Sequence, residues 1–540
     1  MDASYFDIKI EKYLQTSARV KRRLSRYSAI SIIRKSKETF AELEDELQYL
    51  ERQPWTHMLA LKWRLENPSL GGAEIDGKNF TKLLNEIYGL QSVASQLDDE
   101  GLTTKQKIAP LIIQQNWFQG DSRDYIYTLL RLYMVLCDKP FEQNYYKKTF
   151  EKATGLSLED FFQLAIIFAM HALGGLGKNQ FYKLSDLIPK IHPTIDVEKF
   201  GIFVALLSVN IEDASVFLQE YTYQKGWPTD YYEESPFKLK PLILFGNELV
   251  PINDRLFYRG ICEFPTRFFK SISNDFSTSF GHSIQDYMAR LLTELNWRFV
   301  EDSWIKDRFG ELNIQSQDVD FILDLQAPIL MEVKAVQPDR DLTKSRDPYL
   351  LQKRVKSNLL KAVSQIQSVS YDLSLNNQVI EQPRFGLIIT YAEYFISTAK
   401  DLDSQLNIDL EAKFIGKFGC CPISLDHIYI APIHDIETLF NFLSQEGSFD
   451  LAAFLNDCVE ADSRAETSKY TFHMHVRDRY KKEYGNTEIL NRVLDTKIET
   501  FGKMEREHQK FWSMNLTEFF SSQKRLMAKI DSVHKQDRLP

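Results

Sequence analysis

The stretch that decides the fold of the second half of the chain is residues 318–335, DVDFILDLQAPILMEVKA. It holds two apolar runs with Ala327-Pro328 as a turn between them, and so predicts a β-hairpin. Side chains alternate between the two faces of a strand, which puts Glu332 and Lys334 on one face. Asp320 opens the first strand, where hairpin pairing would bring its carboxylate beside that of Glu332.

These three side chains form a pattern with a chemical use. Two carboxylates, with the backbone carbonyl that follows Glu332, would supply the hard oxygen ligands that Mg²⁺ prefers. Lys334 is close enough to orient and activate a water, or to neutralise charge on an attacked phosphate. Glu-x-Lys alone is not specific, because Glu411-Ala-Lys413 also has it. The informative feature is an acidic residue that opens one apolar strand with Glu-x-Lys inside the next. The alternative is a solvated salt bridge at a sheet edge.

The segments around the hairpin predict a mixed α/β layer architecture. An amphipathic helix is expected over Ser283–Leu295, and a long helix over about Leu350–Leu373. The expected strands are Trp297–Val300, Phe321–Leu325, Ile329–Lys334, Phe385–Thr390 and His427–Ala431.

Changes in composition divide the chain of 540 residues into four regions, and this length fits a multidomain protein. Residues 1–238 show helical spacing throughout and predict a large all-α N-terminal domain. Residues 239–275 predict a hairpin around Gly246-Asn247 and a helical connector. Residues 276–445 form the α/β domain, and residues 446–540 a charge-rich helical tail.

Composition excludes several classes of protein. The 22 glycines, 18 prolines and 13% aromatic residues exclude collagen-like and disordered chains. Five scattered cysteines without a CxxC pair make neither a disulfide framework nor a zinc cage. The longest apolar runs are too short to cross a bilayer, and the N-terminus lacks the features of a signal peptide. We therefore expect a cytoplasmic protein with no membrane partner. The net charge of −9 argues against a broadly basic nucleic-acid-binding surface.

Residues from about Phe280 to Pro432 resemble the PD-(D/E)xK nuclease superfamily, whose domains have a restriction-endonuclease-like α/β/α fold with a mixed central sheet. The likeness covers under a third of the chain and is greatest to the RecB-type branch, which carries Gly-x-x-Phe-Glu on a preceding helix. The matching stretch is Gly281-His-Ser-Ile284-Gln285, so that Gln285 replaces a metal-linked glutamate. Asp286 is the substitute if the register shifts.

The resemblance implies a nuclease that depends on Mg²⁺ or Mn²⁺. Asp320 and Glu332 would hold the metal, with Asp318 as the alternative first ligand, and Lys334 would position the attacking water. The same branch carries a glutamine on the helix after Glu-x-Lys. Gln365 and Gln367 both match part of that pattern, and the choice between them stays open.

Two groups of basic residues are candidates for binding the nucleic-acid backbone, with a solvated helix face as the alternative for each. One lies on or just before the helix after Glu-x-Lys, and the other lies in the basic run from Arg19 to Lys37. Their members are Lys353, Arg354, Lys356 and Lys361 in the first group, and Arg22 and Arg23 in the second.

The resemblance favours DNA over RNA as the substrate. The helical regions are expected to serve target sensing, self-association into a homo-oligomer or docking to a partner protein. A nuclease core attached to large helical regions is similar to prokaryotic proteins of defence against phage or mobile elements. The competing hypothesis is a non-catalytic nucleic-acid-binding or scaffold protein that retains the nuclease fold, and Gln285 favours it.

Two histidine patterns carry weaker signals. His473-Met-His475 has the spacing of metal ligands on a strand, but its surroundings look helical and the sequence offers no third ligand. His434-Asp435 follows an apolar strand, and a core or surface role is the simpler interpretation.

Overall fold

The structure is a computed structural model that describes residues 3–40, 46–95, 103–119, 122–138, 143–171, 181–221, 230–311, 313–314, 317–323, 328–337, 348–375, 384–480 and 487–535. The chain folds into two compact units. The first unit is Met1–Asn274 with Val493–Pro540, and the second unit is Asp275–Arg492. The protein is mostly helical, at 69%, and carries two small mixed sheets, which confirms the prediction of an α-rich multidomain protein.

The first unit is built from helices around an aromatic core. The ring centroids of Phe161 and Phe264 stack at 5.2 Å, and Phe150 meets the edge of Phe268 at 5.0 Å. Its helices are Ala3–Leu24, Ala29–Phe40, Glu46–Glu51, Pro54–Leu65, Gly77–Tyr88, Gln91–Ala94, Thr104–Asn116, Ser122–Cys137, Gln143–Thr154, Leu158–His171, Leu184–Ile191, Val197–Leu207, Ala214–Tyr221, Asp254–Ile272 and Leu516–Lys535. The helix Glu488–Met514 begins in the second unit and ends in the first.

A four-stranded sheet lies in the first unit, so the prediction of an all-α N-terminal region was wrong. Its strands are β1 (Tyr182–Lys183), β2 (Ser208–Asn210), β3 (Leu242–Phe245) and β4 (Glu248–Pro251), in the order β1-β4-β3-β2. The predicted hairpin is β3–β4, and Gly246 occupies the left-handed region at its turn with φ of 58°. Both missed strands are two or three residues long, which is too short for an alternating pattern to be visible in the sequence.

The two halves of the predicted C-terminal region belong to different units. Residues 446–492 lie in the second unit, whereas residues 493–540 lie in the first. There the helix Leu516–Lys535 packs closely along Val197–Leu207. A Cβ added at Gly201 would lie only 3.2 Å from the carbonyl oxygen of Leu526, and this glycine permits the close approach.

The second unit is a five-stranded sheet between helices. Its strands are β5 (Phe299–Glu301), β6 (Phe321–Leu323), β7 (Ile329–Lys334), β8 (Phe385–Thr390) and β9 (Ile428–Pro432). Its helices are Phe276–Glu294, Asp302–Glu311, Pro348–Val355, Leu359–Ser374, Ala399–Leu406, Leu410–Phe418, Ile433–Gln445, Leu451–Asp462 and Phe472–Arg479.

The sheet has the order β5-β6-β7-β8-β9 and is mixed, as predicted. Strands β5, β6 and β7 pair antiparallel, and β7, β8 and β9 pair parallel. The helix Leu359–Ser374 covers the face that bears Leu330 and Ile388, within one buried cluster. The helix Phe276–Glu294 packs against β7 from the other face.

Element boundaries agree best where the apolar run is continuous. The predicted spans of β7 and β8 match the structure to the residue. The long helix predicted over about Leu350–Leu373 is two helices, because the chain turns at residues 356–358. Of the hairpin turn, Ala327 lies outside the described residues.

Within the described part of the chain, no single helix has the length and apolar character needed to cross a membrane. One pair of helices, Tyr145–Thr154 and Leu158–Met170, meets those criteria only when taken together across a 77° bend.

Candidate active site

Two carboxylates lie side by side where β6 and β7 meet. The antiparallel register sets Phe321 opposite Met331, and one residue further it sets Asp320 opposite Glu332. The backbone N–H of Asp320 donates to Glu332 Oε2 at 3.3 Å, and that of Val333 donates to Asp320 Oδ2 at 2.6 Å. These reciprocal bonds fix the two carboxyl groups, which we call the acidic pair.

Glu332 is buried and Asp320 is partly buried, and this burial has an electrostatic consequence. Glu332 is 2% exposed. Burial, followed by repulsion from the Asp320 carboxylate, raises the pKa of Glu332 well above its usual range. Burial also raises the pKa of Asp320, against the opposing effects of the Val333 N–H and the Lys334 ammonium. The pair therefore favours a bound proton or cation.

Lys334 is held against the acidic pair. Its ammonium donates to Glu332 Oε1, and it also donates to Gln365 Oε1 at 3.1 Å. The amide of Gln365 is fixed in turn, because its Nε2 donates to the backbone carbonyl of Asp318 at 2.9 Å. Of the two predicted glutamines, Gln365 is the one that lies at the site.

Gln367 lies outside this site. Two residues along a helix turn the side chain by about 200°, so Gln365 and Gln367 point to nearly opposite sides. The buried Gln367 amide donates to the carbonyl of Ile423 at 2.6 Å and accepts from its N–H at 2.9 Å. Gln367 therefore anchors the loop before β9, and Gln365 is the one of the two candidates that contacts Lys334.

Asp318, the alternative first ligand, pairs with Lys306 and also interacts electrostatically with Asp320 and Lys334. Its carboxylate lies 2.9 Å from Lys306 Nζ and is 42% exposed. Burial alone would raise the pKa of Asp318, but the hydrogen bond from Lys306 holds it below the usual range. Lys306 was not among the predicted residues. Its spacing of four residues from Asp302, to which it also bonds at 2.6 Å, is only a common helix-surface pair.

The basic group that follows Glu-x-Lys is exposed. Lys353, Arg354, Lys356 and Lys361 all present their side chains to solvent. Lys361 lies one helical turn before Gln365 on Leu359–Ser374, so the two share a side of that helix. Lys361 is thus the member of the group that the helix aligns with Lys334.

The basic run in the first unit is partly neutralised by that unit's own acids. Arg23 pairs with Glu86, and Lys21 pairs with Glu66 at 2.7 Å. Arg22 is exposed on the helix Ala3–Leu24. Of the two predicted phosphate-binding residues, Arg22 has the more accessible charge.

Gln285 and Asp286 both lie on the helix Phe276–Glu294, in its second half. Gln285 is half-buried and Asp286 is exposed. Both residues therefore lie on a helix, as predicted.

The residues present suit a divalent cation. The acidic pair offers oxygen donors, and its raised pKa values mean that the site favours a positive charge, which a divalent cation would supply in place of a proton. Mg²⁺ and Mn²⁺ prefer such donors, and both usually retain several waters as further ligands.

Comparison with known proteins gives no match. No family model, curated protein or solved structure matches the chain.

Proposed function

We propose that the second unit is a metal-dependent phosphodiesterase that hydrolyses nucleic acid, with DNA favoured over RNA as the substrate. The single observation that carries the proposal is the acidic pair with Lys334 bonded to it on one face of the sheet. A structural salt bridge between Glu332 and Lys334 would not require the partly buried Asp320 carboxylate beside it, since that carboxylate adds repulsion.

In this proposal Asp320 and Glu332 hold Mg²⁺ or Mn²⁺. The bound ion would stabilise charge on the phosphate and lower the pKa of a water. Lys334 would orient the attacking water, and Gln365 would keep the Lys334 ammonium in position through its hydrogen bond of 3.1 Å. Lys361 would neutralise backbone phosphate near the scissile bond.

Plasmid nicking by the full chain tests this proposal. Wild type, Glu332→Ala and Asp320→Ala are assayed with Mg²⁺ or Mn²⁺ on supercoiled plasmid, single-stranded DNA and RNA. Each substitution is expected to lower the cleavage rate by on the order of 100-fold or more, because each removes a charged ligand. Glu411→Ala is the matched control, since Glu411 belongs to the exposed second Glu-x-Lys and should cut like wild type.

The outcomes separate the two hypotheses. Equal cutting by wild type and both variants would show that the acidic pair does no catalysis. If the wild-type chain binds DNA but cuts none of the substrates with either metal, the non-catalytic binding protein is favoured. Gln285, which replaces a metal-linked glutamate of the RecB-type branch, already favours that hypothesis.

A further inference from the structure

A second group of metal-ligand side chains lies elsewhere in the second unit. His434 and Asp435 sit in the first turn of the helix Ile433–Gln445, directly after β9. His473 is the second residue of the helix Phe472–Arg479. The potential ligand atoms of these three residues all lie within 4.8 Å of one another. We call them the histidine cluster.

Both imidazole rings lie close to the same carboxylate oxygen of Asp435. His473 Nδ1 lies 2.7 Å from Asp435 Oδ1, and His434 Nε2 lies 3.3 Å from the same atom. Ligand atoms around a tetrahedral Zn²⁺ with bonds of about 2.0–2.1 Å lie about 3.3 Å apart. The three donors therefore need only small side-chain adjustments to share one ion.

Asp435 supplies the observation that points to a cation. The residue is 2% exposed, and its second oxygen, Oδ2, is buried without a hydrogen-bond partner within the described structure. A buried carboxylate oxygen without a partner costs free energy. A bound cation would compensate this charge, because the hydrogen bond with His473 and the ion pair with His434 both involve Oδ1.

The cluster is also accessible and has a further acid beside it. The side chains of His434 and His473 are 47% and 46% exposed, which leaves a path for an ion and room for water ligands. Glu393, in the loop after β8, interacts electrostatically with both Asp435 and His473. Glu393 is not one of the three residues whose ligand atoms lie within 4.8 Å of one another, so it adds an acid near the cluster and not a fourth member.

This location is distinct from the acidic pair. The cluster follows the carboxyl ends of β8 and β9, and Lys334 lies in register with Thr390 of β8 and Pro432 of β9. Two strand spacings separate β7 from β9 by about 10 Å. Open parallel strands bind ligands at their carboxyl ends, so both sites use the same edge of the sheet.

We propose that His434, Asp435 and His473 bind one Zn²⁺ or a similar divalent transition metal. Imidazole nitrogens with one carboxylate select this class of ion over Mg²⁺. The bound ion would tie the helix Phe472–Arg479 to the end of β9. The site does not depend on nuclease activity.

Zinc binding to the full-length, chelator-stripped chain tests the proposal. Titration with Zn²⁺ against a chromophoric competitor should give one tight equivalent per chain, and Co²⁺ should give visible d–d bands typical of four or five ligands. His434→Asn and His473→Asn should each weaken binding by more than about 100-fold, because even indirect partners of a metal ligand cost 10- to 100-fold. His282→Asn, which changes an exposed histidine of the same unit, should bind like wild type.

Two further variants keep the result decisive. Glu332→Gln should retain the zinc equivalent, since loss of zinc there would assign the ion to the acidic pair and overturn the proposal. Asp435→Asn keeps the shape of the side chain and removes its charge. Weaker zinc binding by this variant, when it is folded, would therefore come from the lost ligand and not from unfolding. Circular dichroism shows whether each variant is folded. No tight equivalent in the wild type, or unchanged zinc affinity in the folded His434→Asn and His473→Asn variants, would also overturn it.

Discussion

Glu332→Gln is expected to stabilise the metal-free second unit while it removes a metal ligand. Glu332 is 2% exposed and lies opposite Asp320, so its charge is both desolvated and repelled. Glutamine keeps the size of the side chain and removes that charge. A residue kept for stability alone would show the opposite behaviour, because its removal would destabilise the fold.

The magnitude follows from the geometry of paired strands. Residues directly opposite each other have Cβ atoms about 5 Å apart. Two unit charges at about 5 Å with an effective dielectric constant of about 20 repel by about 3 kcal/mol. Loss of the charged hydrogen bond from Lys334 offsets about 1–2 kcal/mol of this. The expected net gain is therefore about 1–2 kcal/mol.

The pH dependence has a definite sign. The pKa of Glu332 is raised in the folded state, so the folded protein binds more protons than the unfolded chain. Wild-type stability from this group is present at low pH and is lost as the pH rises above about 4.3, the ordinary glutamate value. The advantage of Glu332→Gln should therefore be small in acid and grow toward pH 8.

Hydrogen exchange measured by mass spectrometry is the suitable assay, because a protein with two units need not unfold in one step. With chelator at pH 8, peptides from β7 and Leu359–Ser374 should exchange about 5- to 30-fold more slowly in Glu332→Gln. Mg²⁺ should protect these peptides in wild type and give little protection in the variant. Faster exchange in the variant without metal, or equal protection by Mg²⁺ in both proteins, would refute the reasoning.

Four further substitutions test other parts of the structure. Asp230→Asn should destabilise the first unit by about 1–3 kcal/mol in urea unfolding, because the partly buried carboxylate accepts from Tyr13, Lys62 and Trp63; a change below about 0.5 kcal/mol would contradict this. Gln367→Ala should lower the free energy of unfolding by about 1–3 kcal/mol and leave the cleavage rate of the folded protein near wild type, whereas Gln365→Ala should slow cleavage. Slower cleavage by Gln367→Ala with a normal rate for Gln365→Ala would contradict these roles. Lys361→Ala should weaken DNA binding and reduce the salt slope by about 1, measured by fluorescence anisotropy over a range of salt concentrations; an unchanged slope would exclude a phosphate contact.

The central hairpin could be predicted because its signals are local. Continuous apolar runs set the bounds of β7 and β8, and strand alternation correctly placed Glu332 and Lys334 on one face. Asp320 was preferred to Asp318 as the neighbour of Glu332 because Asp320 directly precedes the apolar strand. The antiparallel register likewise pairs Asp320 with Glu332.

The two glutamines could not be separated from the sequence, because the answer depends on how one helix is rotated against the sheet. Gln365 and Gln367 lie two positions apart, and a rotation of Leu359–Ser374 by about half a turn would exchange their surroundings. The hydrogen-bond partners show how the helix is rotated: Gln365 bonds to Lys334, and Gln367 bonds to Ile423.

The sequence offered no third metal ligand beside His473 for a similar reason. On a strand His473 and His475 would share a face, but on the helix Phe472–Arg479 they diverge. His475 turns to Asp462 at 3.0 Å, and His473 turns to Asp435 at 2.7 Å. The partner of His473 is thus 38 residues away in the chain, where local spacing gives no signal.

Lys334→Ala, compared with Lys413→Ala, tests the central claim most directly. Both lysines belong to a Glu-x-Lys sequence, but Lys334 bonds to the acidic pair, whereas Lys413 is exposed on the helix Leu410–Phe418. The measurement is the single-turnover rate of plasmid nicking in Mg²⁺, at saturating protein. We expect Lys334→Ala to cut on the order of 100-fold more slowly than wild type and Lys413→Ala to cut at the wild-type rate. Equal rates for all three proteins would contradict the assignment of a nuclease site to Asp320, Glu332 and Lys334.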